Sequence, residues 1–178
     1  MSVMTMNAEA RREAIKQTLQ NAAAPITGSE LAQKFQVSRQ VIVGDITVLR
    51  AGGCDVYATP RGYLLPQKNS SQGKLAVICC RHDRELLPTE LEIIVDNGAK
   101  MHDVIVEHPV YGEIRVNLFI STRREIKQFL QKLRQTNAAP LMVMGGGTHY
   151  HTIEVPDDET LSIICDELKK AHILVEKA

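Results

Sequence analysis

Two histidines that follow three consecutive glycines are the residues of this sequence best suited to chemistry. The segment 145–151 reads Gly-Gly-Gly-Thr-His-Tyr-His and continues into a strand-like run. Side chains alternate between the two faces of a strand, so His149 and His151 share one face. Ile153 and Val155 continue that face, which therefore points towards an apolar interior. Imidazoles in this position either bind a metal or ligand, or form a polar cluster satisfied by hydrogen bonds. The pair alone leaves both interpretations open.

Further candidate ligands come from a strand and a helix earlier in the chain. His82 continues the face of an apolar strand-like run at 75–80, and Glu90 falls in the first turn of the next helix, beside its buried face. One loop separates the two residues, so they can lie close together. Three imidazoles and one carboxylate suit a divalent ion such as Zn²⁺, Ni²⁺, Fe²⁺ or Mn²⁺. The residues therefore predict a candidate metal site formed by His82, Glu90, His149 and His151.

The other histidines differ in their surroundings. His108 continues the apolar face of a strand predicted at 103–108 and stands just before the hairpin connection 109–112, which contains Tyr111. His102 and His172 occur in more polar contexts, and we expect both to be solvated.

Composition excludes several classes of protein. The 178 residues carry 21 basic and 21 acidic side chains, which argues against indiscriminate coating of nucleic acid or membrane. We find no apolar run long enough to span a bilayer and no leader-like start, so we expect a cytoplasmic protein without a membrane partner. Two of the four cysteines are adjacent, which disfavours a disulfide framework.

The first unit, placed at 1–67, has the pattern of a winged helix-turn-helix. A helix at 8–20 is followed by a capping box that starts at Thr27 and by a second helix to Lys34. Ser38 caps a third helix that ends near Gly52. Two short strands around Thr59–Gly62 form the wing.

The third helix is the predicted reader of DNA. The N-terminal turn of a recognition helix lies nearest the base edges in the major groove, and the wing tip can reach a phosphate. The alternative is a helix-turn-helix used only for protein contacts or dimerisation. The predicted DNA-contacting residues are Ser38, Arg39, Gln40, Val43, Thr47 and Arg61.

A polar linker at 68–73 separates this unit from a second one at 74–178. Alternating strand and helix signals in the second unit give the order β-α-β-β-α-β-β-α, including strands at 141–144 and 148–155. This order predicts a mostly antiparallel sheet packed against helices, related in layout to split βαβ folds. The chain as a whole is therefore expected to be an α+β protein of two domains.

Four stretches give the sequence a specific resemblance. They are Ser-Arg-Gln-Val-Ile-Val at 38–43, Ala-Thr-Pro-Arg-Gly-Tyr at 58–63, Glu-His-Pro-Val-Tyr-Gly at 107–112 and Gly-Thr-His-Tyr-His at 147–151. In this order they resemble the niacin-responsive transcriptional repressors, the NiaR or YrxA family, over nearly the whole chain. That family joins a winged helix-turn-helix to a 3H domain named for its histidines. Gly44 departs from the family pattern, where a bulkier polar residue is expected.

The resemblance implies a homodimeric repressor of genes for NAD synthesis or niacin uptake. Nicotinic acid would act as co-repressor and operator DNA as partner, and the residues matching His82, Glu90, His149 and His151 would hold a divalent metal. With its carboxylate and ring nitrogen, the acid could complete an open coordination position of the metal, or it could hydrogen-bond to His108 and Tyr111. Two alternatives involve catalysis: a hydrolase using metal-bound water, and a bifunctional repressor and cofactor ligase. No paired general base or adenylate-binding loop supports either alternative, so we do not expect an enzyme.

Overall fold

The structure, a computed structural model, describes residues 6–66 and 73–175. The chain divides into two compact units, residues 1–70 and 71–178. Apart from Gly73, the linker predicted at 68–73 lies outside the described residues. No helix in the described ranges combines the length and apolar character needed to cross a membrane.

The first unit contains the predicted three helices and a hairpin. The helices are α1 (Ala8–Gln20), α2 (Gly28–Phe35) and α3 (Arg39–Ala51), and the strands are β1 (Tyr57–Thr59) and β2 (Gly62–Leu64). Helix α2 begins with a complete capping box, in which the backbone N–H of Thr27 donates to Glu30 at 2.7 Å. Gln36 has a left-handed φ of 53°, which produces the tight turn before α3. The winged helix-turn-helix prediction is confirmed.

Apolar side chains and one buried ion pair hold the three helices together. Asp45 of α3 is buried and accepts from Arg11 of α1 at 2.6 and 3.2 Å. This bidentate geometry satisfies a carboxylate that would otherwise be costly to bury. The fully buried aliphatic side chains of this core are Ile15, Leu19, Leu31, Ile42 and Ile46.

A close backbone approach fixes the wing against the rest of the first unit. Ile26 and Tyr63 exchange backbone hydrogen bonds of 2.9 and 2.8 Å. Ile26 thereby forms an isolated antiparallel β-bridge with the second strand of the hairpin. Gly62 has a φ of 134°, and a Cβ there would lie 2.5 Å from the carbonyl of Ile26. Only glycine permits both this conformation and this approach.

We expect Gly62→Ala to displace the wing and to destabilise the protein by about 2 kcal/mol or more, because the clash is with backbone and cannot relax through a side chain. Urea unfolding of the full chain measures the change. Gly44→Ala is the matched control, since a Cβ there meets no atom within 4 Å. It should be neutral or stabilise by up to about 1 kcal/mol. Equal stability of the two variants would contradict this account of the wing.

The second unit is an antiparallel four-stranded sheet with helices. Its sheet order is β3-β6-β4-β5, so each helical crossover links two strands that have one other strand between them. This arrangement confirms the split βαβ layout and the α+β class. The elements are β3 (Lys74–Arg81), α4 (Leu87–Asp96), β4 (Lys100–His108), β5 (Gly112–Ile120), α5 (Arg123–Thr136), β6 (Thr148–Val155) and α6 (Asp158–Lys170).

Two details of this unit were predicted wrongly. The segment Leu141–Gly145 is a 3-10 helix and not a strand. Pro140 precedes it, and Gly146 and Gly147 follow with left-handed φ values of 62° and 88°, so the run is too short and too sharply turned to join the sheet. The run Thr-Glu-Leu-Glu at 89–92 predicts a capping box that would start α4 at Thr89. The helix instead begins at Leu87, with Pro88 in its first turn.

Candidate metal centre and DNA-contacting helix

Strand pairing places the four predicted metal ligands together. In the antiparallel pair β3–β6, His149 lies opposite Cys80 and His151 lies opposite Ile78, on the face that packs in the core. His82 follows the end of β3 on the same alternation. Glu90 projects from the first turn of α4 and is completely buried, with 0% exposure.

Glu90 is the centre of the cluster. Its Oε2 atom lies 2.9 Å from Nε2 of His82, and its Oε1 atom lies 3.0 Å from Nε2 of His149 and 3.3 Å from Nε2 of His151. Potential ligand atoms of His82, Glu90 and His149 all fall within 4.8 Å of one another. The structure thus places three of the predicted metal ligands in one compact set, and His151 lies beside that set through Glu90.

Backbone carbonyls fix the orientation of all three imidazole rings. Nδ1 of His82 donates to the carbonyl of Asp83 at 2.6 Å, Nδ1 of His149 to Gly147 at 2.9 Å, and Nδ1 of His151 to Asp103 at 2.6 Å. A carbonyl oxygen only accepts, so each Nδ1 carries a proton. In a neutral ring the Nε2 atom is then a lone-pair acceptor.

Three neutral rings would direct their Nε2 lone pairs at the buried carboxylate of Glu90. Neither partner could then donate a hydrogen bond to the other. The arrangement is favourable only when positive charge lies between them, either as protons on the rings or as a metal ion. Within the described residues, Nε2 of His151 is buried and makes no hydrogen bond. A buried donor set with an unsatisfied nitrogen fits a metal ion better than a closed hydrogen-bonded cluster.

The pKa shifts express the same demand for positive charge. Burial acts to raise the pKa of Glu90, but the three histidines outweigh it and hold that pKa well below its ordinary value. Burial acts to lower the pKa of His82 and of His151, but the carboxylate of Glu90 outweighs it, so both pKa values are raised. Burial and the charge of Glu90 raise the pKa of the Cys80 thiol. Cys80 is therefore a neutral neighbour of the cluster.

Gly147 has a positioning role that the sequence did not reveal. Its carbonyl accepts from Nδ1 of His149 and, at 3.4 Å, from the backbone N–H of His82. A Cβ on Gly147 would lie 2.7 Å from the carbonyl oxygen of His82. The only sequence signal was the glycine run itself, which predicts backbone freedom but not a hydrogen-bond partner.

The residues predicted to contact DNA lie along one side of α3. Ser38 caps the helix by accepting from the N–H of Val41 at 3.3 Å. The side chains of Ile42 and Ile46 are buried in the core of the first unit. Gly44 lies exposed on the same helix. The predicted contact residues that are exposed on α3 are Arg39, Gln40, Val43 and Thr47.

Arg61 lies in the wing turn and is half-buried. Its backbone N–H donates to the hydroxyl of Thr59 at 3.1 Å, which stabilises the turn.

The remaining histidines occupy three different environments. His102 was predicted to be solvated, but it is half-buried and its Nε2 donates to Glu154 at 3.0 Å. His172 is exposed, as predicted.

His108 and Tyr111 lie together at the β4–β5 hairpin, with ring centroids 4.8 Å apart. Nδ1 of His108 accepts the backbone N–H groups of Val110 and Tyr111 at 3.2 and 3.3 Å, so the pair is organised by its own turn. Its binding role stays a prediction.

Comparison with known proteins agrees with this architecture. The 3H domain family model matches residues 75–177, and a helix-turn-helix (HTH) domain model matches residues 11–64. The chain is 42% identical over 177 residues to the probable transcription repressor NiaR of Thermotoga maritima, which covers 99% of both chains. It is 39% identical over 168 residues to the transcription repressor NadR of Bacillus subtilis, which covers 93% of both chains.

A helix-turn-helix domain followed by a 3H domain defines a DNA-binding transcription regulator. The chain belongs to the family of the NiaR and NadR transcription repressors. The resemblance seen in the sequence is confirmed. Because these relatives are named as repressors and not as enzymes, the prediction of a non-enzymatic protein is confirmed as well.

Proposed function

We propose that this protein is a metal-containing, nicotinic-acid-dependent repressor of genes for NAD biosynthesis or niacin uptake. Family membership supports the repressor part of the proposal. The observation that carries the regulatory part is the buried cluster around Glu90, which requires a positive charge inside the second domain. Nicotinic acid as effector follows from the sequence resemblance.

The first domain would bind operator DNA as part of a homodimer. One recognition helix reads only a short half-site, and two helices related by a two-fold axis match a palindrome whose half-sites are about 34 Å apart. The net charge of the chain is zero, so bulk attraction to phosphate contributes little. Specificity would therefore depend on positioned contacts from Arg39 and Gln40, with Ser38 at the start of the helix and Arg61 on the wing.

The second domain would hold one divalent transition metal through His82, Glu90, His149 and His151. Three imidazole nitrogens and one carboxylate suit Ni²⁺, Zn²⁺, Fe²⁺ or Mn²⁺. When bound, the ion supplies the positive charge that the four residues require, and it joins β3, α4 and β6 at a single point. The carbonyls of Asp83, Gly147 and Asp103 keep each Nε2 aimed inwards.

Gly147→Ala should weaken metal binding about ten- to a hundred-fold without removing any ligand, because the new Cβ displaces the carbonyl of His82 and the acceptor of His149. Competition between the protein and a chromogenic chelator for Ni²⁺ or Zn²⁺ measures the affinity. Gly145→Ala is the matched control, since a Cβ there makes only an ordinary contact of 3.5 Å with Val106. Unchanged metal affinity in Gly147→Ala would show that this glycine does not position the cluster.

Binding of nicotinic acid would strengthen DNA binding by favouring the dimer geometry that matches the operator. His108 and Tyr111 stay candidates for this contact because their rings lie side by side at the hairpin and Tyr111 is exposed. The hairpin alone, however, offers a stacked pair and not an enclosed pocket.

A gel-retardation assay tests the proposed function. DNA fragments from upstream of NAD biosynthesis and niacin uptake genes are titrated with metal-loaded protein, with no effector, with nicotinate and with nicotinamide. We expect retardation of a specific fragment that nicotinate strengthens and nicotinamide does not. Specific retardation that neither compound changes would support the repressor function and contradict the role of nicotinic acid as effector.

A further inference from the structure

The three carbonyls that orient the histidine rings differ in their distance along the chain. The acceptors of His82 and His149 lie one and two residues away, in the same stretch of chain as the ring. His151 instead donates to the carbonyl of Asp103, 48 residues away on β4, at 2.6 Å. A local acceptor is placed by its own loop, whereas a distant acceptor is in place only if the neighbouring strand holds it there.

The bond to Asp103 determines how the His151 ring is oriented. Within residues 6–66 and 73–175, Nε2 of His151 is buried and makes no hydrogen bond. That atom lies 3.3 Å from Oε1 of Glu90. The direction of Nε2 therefore depends on Nδ1 and on the carbonyl that accepts from it.

An irregularity in the pairing of β4 with β6 occurs at this carbonyl. Strand β4 contributes residues 102–104 where β6 contributes only residues 151–152. One extra residue on one strand is a β-bulge, which interrupts the regular ladder of backbone hydrogen bonds and redirects nearby groups. Groups of Asp103 take the place of regular backbone partners here, so the bulge is where a strand can serve a side chain.

The carboxylate of Asp103 fixes the bulge from two sides. Its Oδ1 accepts the backbone N–H of Thr152, the neighbour of His151 on β6, at 2.9 Å. Its Oδ2 accepts from Nη1 of Arg115 on β5 at 2.7 Å. Asp103 is only 4% exposed, so water competes little for either bond. One residue thus ties β4 to both neighbouring strands while its carbonyl accepts from the His151 ring.

We propose that Asp103 is a positioning residue for the metal centre: its side chain holds the β4 bulge, and its carbonyl thereby aims Nε2 of His151 towards Glu90. The proposal rests on the metal binding proposed above. Carboxylate and carbonyl share one Cα, so a carboxylate anchored at both oxygens leaves the carbonyl little freedom. Removal of a group that orients a metal ligand typically weakens metal binding about ten- to a hundred-fold.

Competition with a chromogenic chelator for Ni²⁺ or Zn²⁺, measured on the full chain, tests the proposal. Asp103→Ala should weaken binding about ten- to a hundred-fold. Asp103→Asn should stay within about five-fold of the unsubstituted protein, because its amide oxygen still accepts from Thr152 and an ion pair with the exposed Arg115 contributes little. Asp103→Glu keeps the charge but lengthens the side chain, so it should bind metal more weakly than Asp103→Asn does. This variant replaces Asp103→Ala if the latter does not fold.

Glu154→Ala is the matched control for a general loss of stability. Glu154 is another buried carboxylate of the same sheet, 7% exposed, and it pairs with Lys100 at 3.1 Å and His102 at 3.0 Å. The carbonyls that accept from the three rings belong to other residues. Glu154→Ala should therefore lower the melting temperature and leave metal affinity unchanged.

Nuclear magnetic resonance of isotopically labelled histidine examines the His151 ring itself. In the Zn²⁺-loaded protein and in Asp103→Asn, the Nδ1–H of His151 should be protected from exchange with water. In Asp103→Ala this protection should be lost for His151 alone, while His82 and His149, whose acceptors are local, keep theirs. A role of Asp103 in folding alone would change all three signals alike.

Unsubstituted metal affinity in Asp103→Ala and Asp103→Glu would overturn the proposal, and so would equal losses in Asp103→Ala and Glu154→Ala. Either result leaves the metal centre itself in place. If the unsubstituted protein binds neither ion, the proposed metal centre is contradicted and this proposal falls with it, so the two failures are distinguishable.

Discussion

A protein carrying His149→Ala will be purified without metal, whereas the unchanged protein will hold about one divalent ion per chain. His149 is buried, and its Nε2 is 3.0 Å from Glu90. Its removal takes away one ligand and also leaves the carboxylate with one fewer partner. Neither loss can be repaired by solvent at a site with this degree of burial.

The same substitution should lower the melting temperature of the second domain. A ligand present at a thousand times its Kd stabilises the folded state by about 4 kcal/mol. For a domain of about 100 residues that free energy corresponds to roughly 20 °C. Chelator-treated unchanged protein should lose a similar amount of stability, since the metal contribution is then removed in a different way.

Elemental analysis and differential scanning calorimetry provide the two measurements. His172→Asn is the matched control: it removes an exposed histidine at a left-handed φ of 58°, a conformation that asparagine tolerates. Glu90→Gln keeps the size of the central residue, removes its charge, and should lose the metal too. One ion per chain retained in both His149→Ala and Glu90→Gln would contradict the metal assignment.

Arg39→Ala should weaken operator binding at least a hundred-fold while leaving metal content and melting temperature unchanged. Arg39 is the first residue of α3 and is exposed, with its Nε 3.5 Å from the position of a Cβ on Gly28. Arg39 thus lies at the N-terminal end of α3, close to the start of α2. A bidentate contact to a base contributes about 1–3 kcal/mol, and a dimer makes two such contacts.

Competition with non-specific DNA separates a base contact from a phosphate contact. Loss of a base contact relaxes the sequence preference, whereas loss of a phosphate contact weakens all sequences equally. Arg124→Ala, in the second domain, is the charge-matched control. If Arg39→Ala retards the operator at the same concentration as the unsubstituted protein does, this end of α3 is excluded as the surface that reads DNA.

Local rules predicted most of the first domain. The capping box at Thr27, the cap at Ser38 and the Pro-Arg-Gly turn of the wing each depend on neighbouring residues only, so the sequence contains their full description. The half-buried state of Arg61 was missed because it depends on how the hairpin packs, through Gly62, against Ile26.

Strand alternation predicted the clustering of the candidate metal ligands for a similar reason. Period two places His149 and His151 on one face, and antiparallel pairing then brings His82 close. What alternation could not supply was the role of Gly147, because that role arises from a contact between two loops. The 3-10 helix at 141–145 was misjudged as a strand because a run of four apolar residues fits either structure without its tertiary context. The partner of His102, Glu154, lies 52 residues away in sequence and was invisible for the same reason.

If nicotinate and operator DNA are coupled through this protein, calorimetry measures the coupling. Nicotinate is titrated into metal-loaded protein alone and into the same protein saturated with operator DNA. Reciprocity requires that operator DNA tighten nicotinate binding by the same factor by which nicotinate tightens operator binding, typically about 5- to 150-fold. We predict this tighter affinity in the presence of operator. Equal nicotinate affinity in both titrations would contradict the co-repressor mechanism even if the ligand binds.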